Sequence, residues 1–352
     1  MMRRAFLSLL LPLAAVPVGW PHHVAVGLSD PPGDATALTR HAHLDLRYQY
    51  LAGGVNTSSG WSTWNPHGTF VSNYVGESIE AGVTPVLTYY QLLQSRPSAG
   101  SDELHRDLSN LRNGVTMAAY WSDYKLLLRR VNGAAHGHLV IIHVEPDLWG
   151  YLQQAGARTP ARHFARRLIE LRNALAPHVA LAWHLSVWGT KEDPTYSKPS
   201  LAHMDVLARE SAAFYTSLHA HFDLVFNDVT DRDAGFYRKI KGNPNTAWSA
   251  ADFHRHDAYI GGFTRRTRTA VVLWQLPLGN TTLNDTWDHF RDNRVQWWLG
   301  PGSAAHLRAT RSAGVVGLLF GGGADGTTSA NTDGGLFYRF ARTYESNPLP
   351  LH

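Results

Sequence analysis

The chain has 352 residues, of which 44% are hydrophobic, 17% charged and 11% aromatic. This composition provides material for a large core and excludes a mainly disordered chain. The net charge is +4 and no Lys/Arg block is present that could follow a phosphate backbone, so nucleic acid is not an expected partner. Cysteine is absent, which excludes disulfides, thiolate metal ligands and a cysteine nucleophile.

Residues 1–19 have the pattern of a secretory signal peptide. Arg3 and Arg4 precede a mostly apolar run that matches the charged and hydrophobic regions of such signals. The run is short for a membrane span, and Pro12 and Pro17 interrupt it. We therefore expect a secreted protein with no stable membrane association after removal of the signal; a retained anchor is the alternative.

Short β-branched runs alternate with longer amphipathic segments along the rest of the chain. The eight predicted strands are 24–29, 45–52, 83–90, 138–145, 179–188, 223–229, 270–276 and 314–320. Helices are predicted over 70–81, 116–131, 160–176, 202–218, 251–266 and 335–345. For the helix at 160–176, Thr159 is the predicted N-cap, Pro160 the first helical residue and Pro177 the stop signal.

This alternation predicts an α/β fold, a single-domain (β/α)8 TIM-type barrel over residues 24–346. A doubly wound open sheet is the competing architecture. The segment DPPGD that follows the first strand lacks the glycine fingerprint typical of that architecture. In a barrel, the active site is expected at the carboxyl ends of the strands.

The end of the fourth strand carries three polar residues, His143, Glu145 and Asp147, at alternating positions. A regular strand would direct all three toward one face, and neighbouring carboxyl groups there would suit acid/base chemistry. The alternative is structural: Asp147 caps the following turn, and Glu145 pairs with a buried arginine such as Arg47.

The end of the sixth strand supplies candidate partner carboxylates, Asp228, Asp231 and Asp233. Glycosidic hydrolysis uses two carboxyl groups, separated by roughly 5 Å for retention and roughly 6.5–9.5 Å for inversion. Asp228 lies closest to the strand and is the preferred candidate, with Asp231 as a further catalytic candidate. Turn formation is the alternative role for Asp231 and Asp233.

Aromatic and amide side chains also concentrate at the predicted strand ends, as expected for a cleft that binds sugar rings. A metal site built from His143, Glu145, Asp147 and His184 is conceivable but matches no established ligand spacing, so no metal or other cofactor is expected. The predicted substrate-binding residues are Tyr48, Gln49, Tyr50, Trp64, Tyr90, Gln91, Trp149, His184, Trp188, Trp274, Gln275 and Asp325.

Several segments resemble those of exported bacterial proteins that look like barrel-fold glycoside hydrolases. The segments are RYQYLAGGVNTSSGWSTWNPHGTF, TPVLTYYQLLQS, HVEPDLWGYLQQ, HLSVWGT and TDRDAGFY, and the resemblance spans about 24–340. EPDLWGYLQQ is also similar to a strand-end segment of glycoside hydrolase family six, which implies that Asp147 lies in the sugar cleft. Glu145 is similar to the acid/base glutamate of retaining barrel enzymes, whereas Gln275 stands where their nucleophile is expected.

The sequence thus predicts a glycoside hydrolase with a carbohydrate substrate. Glu145 is the predicted proton donor, Asp228 the nucleophile or base, and Asp147 a modulator or alternative acid. The predicted sugar platforms are Trp149, Trp188 and Trp274. A carbohydrate-binding barrel without catalysis is the main alternative, supported by the missing carboxylate at strand seven, and a metal-dependent hydrolase is a third hypothesis.

Overall fold

The computed structural model describes residues 15–352, apart from the side chains of Thr195 and Asn245. The first fourteen residues of the predicted signal peptide lie outside the described range. Within that range, no helix combines the length and the apolar character needed to cross a membrane.

Eight parallel strands form a closed barrel in sequence order, with β8 pairing to β1. This topology confirms the predicted (β/α)8 TIM-type barrel. The strands begin and end within a few residues of the predicted positions, because each is an apolar run bounded by turn-forming residues. They are β1 (Ala25–Ser29), β2 (Leu46–Ala52), β3 (Thr84–Tyr90), β4 (Ile141–Val144), β5 (Ala180–Leu185), β6 (Leu224–Asp228), β7 (Val271–Leu276) and β8 (Val315–Phe320).

Helices connect the strands and cover the outside of the barrel. In the described part of the chain they are α1 (Ala35–His41), α2 (Trp61–Trp64), α3 (Thr69–Glu80), α4 (Glu103–Arg112), α5 (Gly114–Ala135), α6 (Leu148–Gln154), α7 (Arg158–Leu175), α8 (Pro194–Ser197), α9 (Leu201–Ser217), α10 (Ala234–Ile240), α11 (Ala250–Thr267), α12 (Arg294–Leu299), α13 (Ala304–Ser312) and α14 (Leu336–Glu345). Short 3-10 helices occupy Val187–Thr190 and Pro244–Thr246.

Helix α7 shows how the sequence pattern forms a helix and where the prediction was wrong. Phe164, Leu168 and Leu171 are buried on one face, as the apolar periodicity predicts. The helix begins at Arg158, however, so Thr159 lies within its first turn and is not the N-cap. Pro160 is tolerated there because backbone N–H groups of the first turn have no partner within the helix.

The fully buried strands β5, β7 and β8 pack their outward side chains against the helices. Trp149 and Trp183 fill the space between the barrel and this outer layer, with their rings 6.0 Å apart. These two tryptophans therefore supply core volume.

Candidate active site

A cleft of about 390 Å³ opens at the carboxyl ends of the strands. Seven of the eight strands, β2 to β8, contribute to its lining through their last residues or the residues that follow them, so the barrel topology itself brings these positions together. From these positions the lining residues are Tyr50, Tyr90, Pro146, Asp147, Val187, Trp188, Asp228, Val229, Thr230, Asp231, Trp274, Gln275 and Gly323.

Asp147 reaches the cleft because the backbone turns sharply after β4. The strand ends at Val144, and both Glu145 and Asp147 have positive φ angles, 49° and 67°. The alternation expected from a regular strand is therefore broken, and the prediction that His143, Glu145 and Asp147 share a face was wrong. Positive φ is strained for residues other than glycine, and such strain is common at functional sites.

The Asp147 side chain is partly buried at the edge of the cleft. The Tyr90 hydroxyl donates a hydrogen bond to Asp147 Oδ2 at 3.0 Å. Burial raises the pKa of Asp147 to about 6, and the negative charge of Asp228 contributes in the same direction. The Tyr90 hydrogen bond opposes this rise because it stabilises the ionised carboxylate. Asp147 can therefore hold a proton in mildly acidic solution.

Asp228 lies at the end of β6, and its side chain is 19% exposed to the same cleft. Behind it, a hydrogen-bonded row crosses the barrel interior from β3 to β6. His184 Nε2 lies 3.2 Å from Asp228 Oδ1, and His184 Nδ1 lies 3.0 Å from His143 Nε2. Thr88 Oγ1 lies 3.4 Å from His143 Nδ1 and completes the row.

Two arrangements of protons satisfy every bond in this row. Burial, together with neighbouring His184, lowers the pKa of His143 well below its ordinary value, so its ring is neutral. In one, Thr88 donates to His143, and His143 Nε2–H donates to His184 Nδ1; in the other, His184 carries both ring protons and donates Nδ1–H to His143, whose Nδ1–H donates to Thr88. In both, His184 Nε2–H donates to Asp228. His184 therefore orients Asp228 from behind. The prediction that His184 contacts the substrate was wrong, because it does not line the cleft.

Glu145, the predicted proton donor, lies behind the cleft. Its side chain is fully buried, and its carboxyl oxygens accept hydrogen bonds from the backbone N–H groups of Gln91 and Leu92 at 3.1–3.3 Å. Burial raises the pKa of Glu145 to about 8. Because the carboxyl group contributes nothing to the cleft lining, this geometry supports an anchoring role between β3 and β4 in place of proton donation.

The alternative partner suggested for Glu145 was also wrong. Arg47 instead forms ion pairs with Asp30, which follows β1, at 3.2 Å, and with Glu77 of helix α3. Its guanidinium also lies 4.1 Å from the centre of the Tyr74 ring. Arg47 and Glu145 thus serve separate buried networks.

The two further aspartates after β6 differ in their surroundings. Asp231 lines the cleft, where the Tyr237 hydroxyl and the Arg232 guanidinium donate hydrogen bonds to it. Asp233 is fully buried and accepts the backbone N–H groups of Gly279 and Thr328, both at 2.8 Å. Asp233 therefore ties three loops together, whereas Asp231 is accessible to a ligand.

Five of the twelve predicted substrate-binding residues line the cleft: Tyr50, Tyr90, Trp188, Trp274 and Gln275. Gln275 has a positive φ of 54°, and its amide donates a hydrogen bond to the Tyr50 hydroxyl. Trp274 is only 2% exposed, and its indole N–H has no hydrogen-bond partner among the described residues. The Trp188 ring packs against Tyr151, with their centres 4.7 Å apart.

Three other predicted binding residues have structural roles outside the cleft. Tyr48 and Trp149 are buried in the core, and the Trp149 indole donates to the Val144 carbonyl at 2.9 Å. The Gln91 side chain accepts the Gly54 N–H at 2.8 Å, which fixes a loop. The predictions for Tyr48, Gln91 and Trp149 as ligand contacts are therefore corrected to structural roles.

Three more predicted contacts fall outside the cleft. The Gln49 side chain accepts the backbone N–H of Tyr50 at 2.7 Å. Trp64 is 54% exposed on α2, edge-on to Phe70. Asp325 lies exposed in the loop after β8. None of these three is among the residues that line the cleft in the described chain.

The sequence-based reasoning missed lining residues that come from helices and their connections. Glu103 begins α4. Tyr151 lies in α6, and its hydroxyl donates a hydrogen bond to the Glu103 carboxyl group. Asp193, Tyr196 and Tyr237 complete one wall. Tyr151 and Tyr237 fall within the segments HVEPDLWGYLQQ and TDRDAGFY. Their place in these segments was the only feature of the sequence that could have indicated a role in the cleft.

In the described part of the chain, no group of three or more His, Asp or Glu residues is arranged to hold a metal ion. The four residues considered for such a site have other partners. His143 and His184 bond to each other, Glu145 accepts backbone N–H groups, and Asp147 accepts the Tyr90 hydroxyl.

No protein-family model and no curated protein matches this sequence. Solved structures do match it in fold. The glycoside hydrolase family 53 catalytic domain of Ignisphaera aggregans has a TM-score of 0.51 and 10% identity, covering 95% of this chain and 100% of that one. The exo-β-1,4-mannosidase Op5Man5 from Opitutaceae bacterium strain TAV5 has a TM-score of 0.57 and 10% identity, covering 95% and 60%.

A third similar structure is the catalytic domain of the glycoside hydrolase family 26 endo-β-1,4-mannanase from Bacillus sp. JAMB-750, with a TM-score of 0.55 and 10% identity, covering 92% of this chain and 86% of that one. At this identity, the similarity establishes a shared (β/α)8 barrel fold. The chemistry of the site must be argued from its own residues.

Proposed function

We propose that this protein is an exported glycoside hydrolase in which Asp147 and Asp228 are the two catalytic carboxyl groups. The observation that carries the proposal is that both side chains line one cleft while their hydrogen-bonding environments differ. Two carboxyl groups with separate roles are the chemical requirement for hydrolysis of a glycosidic bond. The signal peptide at 1–19 belongs to the proposal, and N-terminal sequencing of protein from culture medium tests it.

Asp147 is the proposed proton donor, in place of Glu145. With a pKa raised by burial to about 6, its carboxyl group holds a proton in mildly acidic solution. It transfers that proton to the glycosidic oxygen as the bond from this oxygen to the anomeric carbon breaks. The electron pair of the broken bond stays with the departing oxygen, which leaves as a hydroxyl group.

Asp228 acts on the anomeric carbon from the other side of the scissile bond. As a base it removes a proton from the attacking water; as a nucleophile it forms a glycosyl ester that water then hydrolyses. Both routes require an ionised carboxylate, and the hydrogen bond donated by His184 stabilises that charge. Proton NMR of the first product distinguishes the two routes: the base route inverts the configuration at the anomeric carbon, and the nucleophile route retains it.

Aromatic side chains of the cleft supply surfaces for sugar rings. Trp188 is partly exposed and lines the wall beside Tyr151, while Trp274 and Tyr50 line the cleft floor near Gln275. Flat apolar faces of sugars pack on such rings, and the amide and hydroxyl groups between them bond to sugar hydroxyls.

The test is hydrolysis of a polysaccharide panel, read as released reducing ends, by the wild type and matched variants. We expect Asp147→Asn and Asp228→Asn each to lower kcat by at least about 100-fold, because each removes one proton-transfer or nucleophilic group. Asp325→Asn, an equivalent change outside the cleft, should retain wild-type rates. Full activity in Asp147→Asn would overturn the assignment of the donor.

A carbohydrate-binding barrel without catalysis is the second candidate function. It is favoured by one observation: near the end of β7, where retaining barrel enzymes have a carboxylate, this chain has Gln275, an amide that donates a hydrogen bond to Tyr50. This function predicts glycan binding by the wild type without release of reducing ends, even after long incubation, and the same panel therefore decides between the two.

A further inference from the structure

The cleft is strongly acidic although the chain as a whole is basic. Its net charge is +4, yet within the described part of the chain the lining residues include no Lys or Arg. The negative potential of the cleft is thus a local feature and does not follow from the overall composition. The carboxylates in the lining are Glu103, Asp147, Asp193, Asp228 and Asp231.

Tyrosine hydroxyl groups donate hydrogen bonds to three of these carboxyl groups. Tyr90 donates to Asp147, Tyr151 to Glu103, and Tyr237 to Asp231. A tyrosine hydroxyl stabilises a carboxylate through its dipole and adds no positive charge, whereas an arginine would neutralise it. Arg232 pairs with Asp231 in this way from outside the lining. Arg232 offsets Asp231, and Asp147 is neutral while it holds its proton, so the negative charge that meets a ligand comes chiefly from Glu103 and Asp228.

A separate observation indicates that this cleft receives a polar ligand. Trp274 lines it and is 98% buried, and its indole N–H has no acceptor among the described residues. A buried donor without a partner is costly, so a bound group that supplies an acceptor there gains that energy. The neighbouring rings of Trp188 and Tyr151 add faces on which both sugar carbons and cations pack favourably.

We propose that the substrate is a glycan whose sugar units carry free amino groups. This inference rests on the proposed function and specifies its substrate class. The protonated amine of such a sugar is attracted by the cleft carboxylates and packs on the aromatic faces, while its hydroxyl oxygens provide acceptors for the Trp274 N–H. Uronic acids and sulfated sugars are repelled by the same carboxylates.

The test compares three oligosaccharides of equal length: a glucosamine hexamer, its fully N-acetylated counterpart and cellohexaose. Calorimetric titration of the wild type at about pH 5.5, where amines are protonated, measures their affinities. We expect the glucosamine hexamer to bind roughly tenfold tighter than the other two, and this advantage to shrink as salt rises from about 50 to about 500 mM. Equal or tighter binding of the N-acetylated hexamer would overturn the substrate class.

Glu103→Gln tests the charge directly, because the amide oxygen can still accept the Tyr151 hydrogen bond. We expect it to weaken binding of the glucosamine hexamer by roughly threefold and to leave cellohexaose binding unchanged. Glu80→Gln makes the same change on the exposed outer surface and should affect neither ligand. Equal weakening of both ligands in Glu103→Gln would contradict the proposal.

Hydrolysis measurements separate this inference from the proposed function. Release of reducing ends from uncharged polysaccharides, with none from amino glycans, would overturn the substrate class and leave the glycosidase assignment standing. Salt-sensitive binding of the glucosamine hexamer without release of reducing ends from any glycan would overturn catalysis and support the substrate class.

Discussion

Tyr90 influences how readily Asp147 releases its proton. The Tyr90 hydroxyl donates to Asp147 Oδ2 at 3.0 Å and stabilises the ionised carboxylate, in opposition to burial, which favours the neutral acid. A general acid must be protonated before it acts, so activity should decline as the pH rises through about 6, the pKa of Asp147.

Tyr90→Phe removes this donor, so the pKa of Asp147 should rise. We expect the basic limb of the kcat/KM profile to move to higher pH by roughly one unit, the shift produced by losing one hydrogen bond to a charged group. Tyr344→Phe is the matched control, because its hydroxyl bonds to the Val24 carbonyl before β1, at the opposite end of the barrel. An unmoved limb in Tyr90→Phe would argue against Asp147 as the donor.

At the scale of elements, the cleft wall depends on close packing between α6 and the 3-10 helix at Val187–Thr190. The two segments meet at Gly150. A Cβ atom at this position would lie 2.6 Å from the Trp188 ring and 2.7 Å from the Ser186 Cβ. The glycine therefore lets the segment that carries Trp188 approach α6 closely enough to form the wall.

Gly150→Ala should displace Trp188 from the wall. We expect KM to rise by roughly fivefold, equivalent to about 1 kcal/mol of lost aromatic contact, with a smaller change in kcat. Gly76→Ala in α3 is the control: apart from its chain neighbours and the backbone of its own helix, nothing lies within 4 Å of the new Cβ, so KM should be unchanged. If KM in Gly150→Ala equals that of the wild type, Trp188 does not contribute to substrate binding.

At the scale of the whole molecule, buried acids link stability to pH. Burial raises the pKa of Glu145 to about 8 and those of Asp233 and Asp257 to about 7. An acid whose pKa is higher in the folded than in the unfolded state stabilises the fold at low pH, and this stability is lost as the pH rises through the folded pKa. The buried His143 and His256 act in the opposite direction, but only below the ordinary histidine pKa.

Above about pH 6.5, the effect of the buried acids should therefore dominate. We expect Glu145 to account for a fall of about 2 kcal/mol in the free energy of unfolding between about pH 6.5 and about pH 8.5. Glu145→Gln, which stays neutral, should show a correspondingly smaller fall in urea denaturation. Glu80→Gln, an exposed counterpart, should keep the wild-type slope. An unchanged slope in Glu145→Gln would show that Glu145 does not titrate in this range.

The sequence by itself determined the barrel. All eight strands lie where apolar runs alternate with amphipathic segments, because strand and helix formation follow from the periodicity of neighbouring residues. The position of Asp228 was equally predictable, since it ends β6 and parallel strands in a barrel all present their carboxyl ends at one mouth.

Only the tertiary structure decided which strand-end side chains enter the cleft. Glu145 and Asp147 are two residues apart, yet the positive φ angle at each and the hydrogen bonds from Gln91 and Leu92 hold one behind the cleft and leave the other in it. Glu103 enters the cleft from a helix distant in sequence. Such placements depend on contacts between remote segments, which a local pattern of residues does not encode.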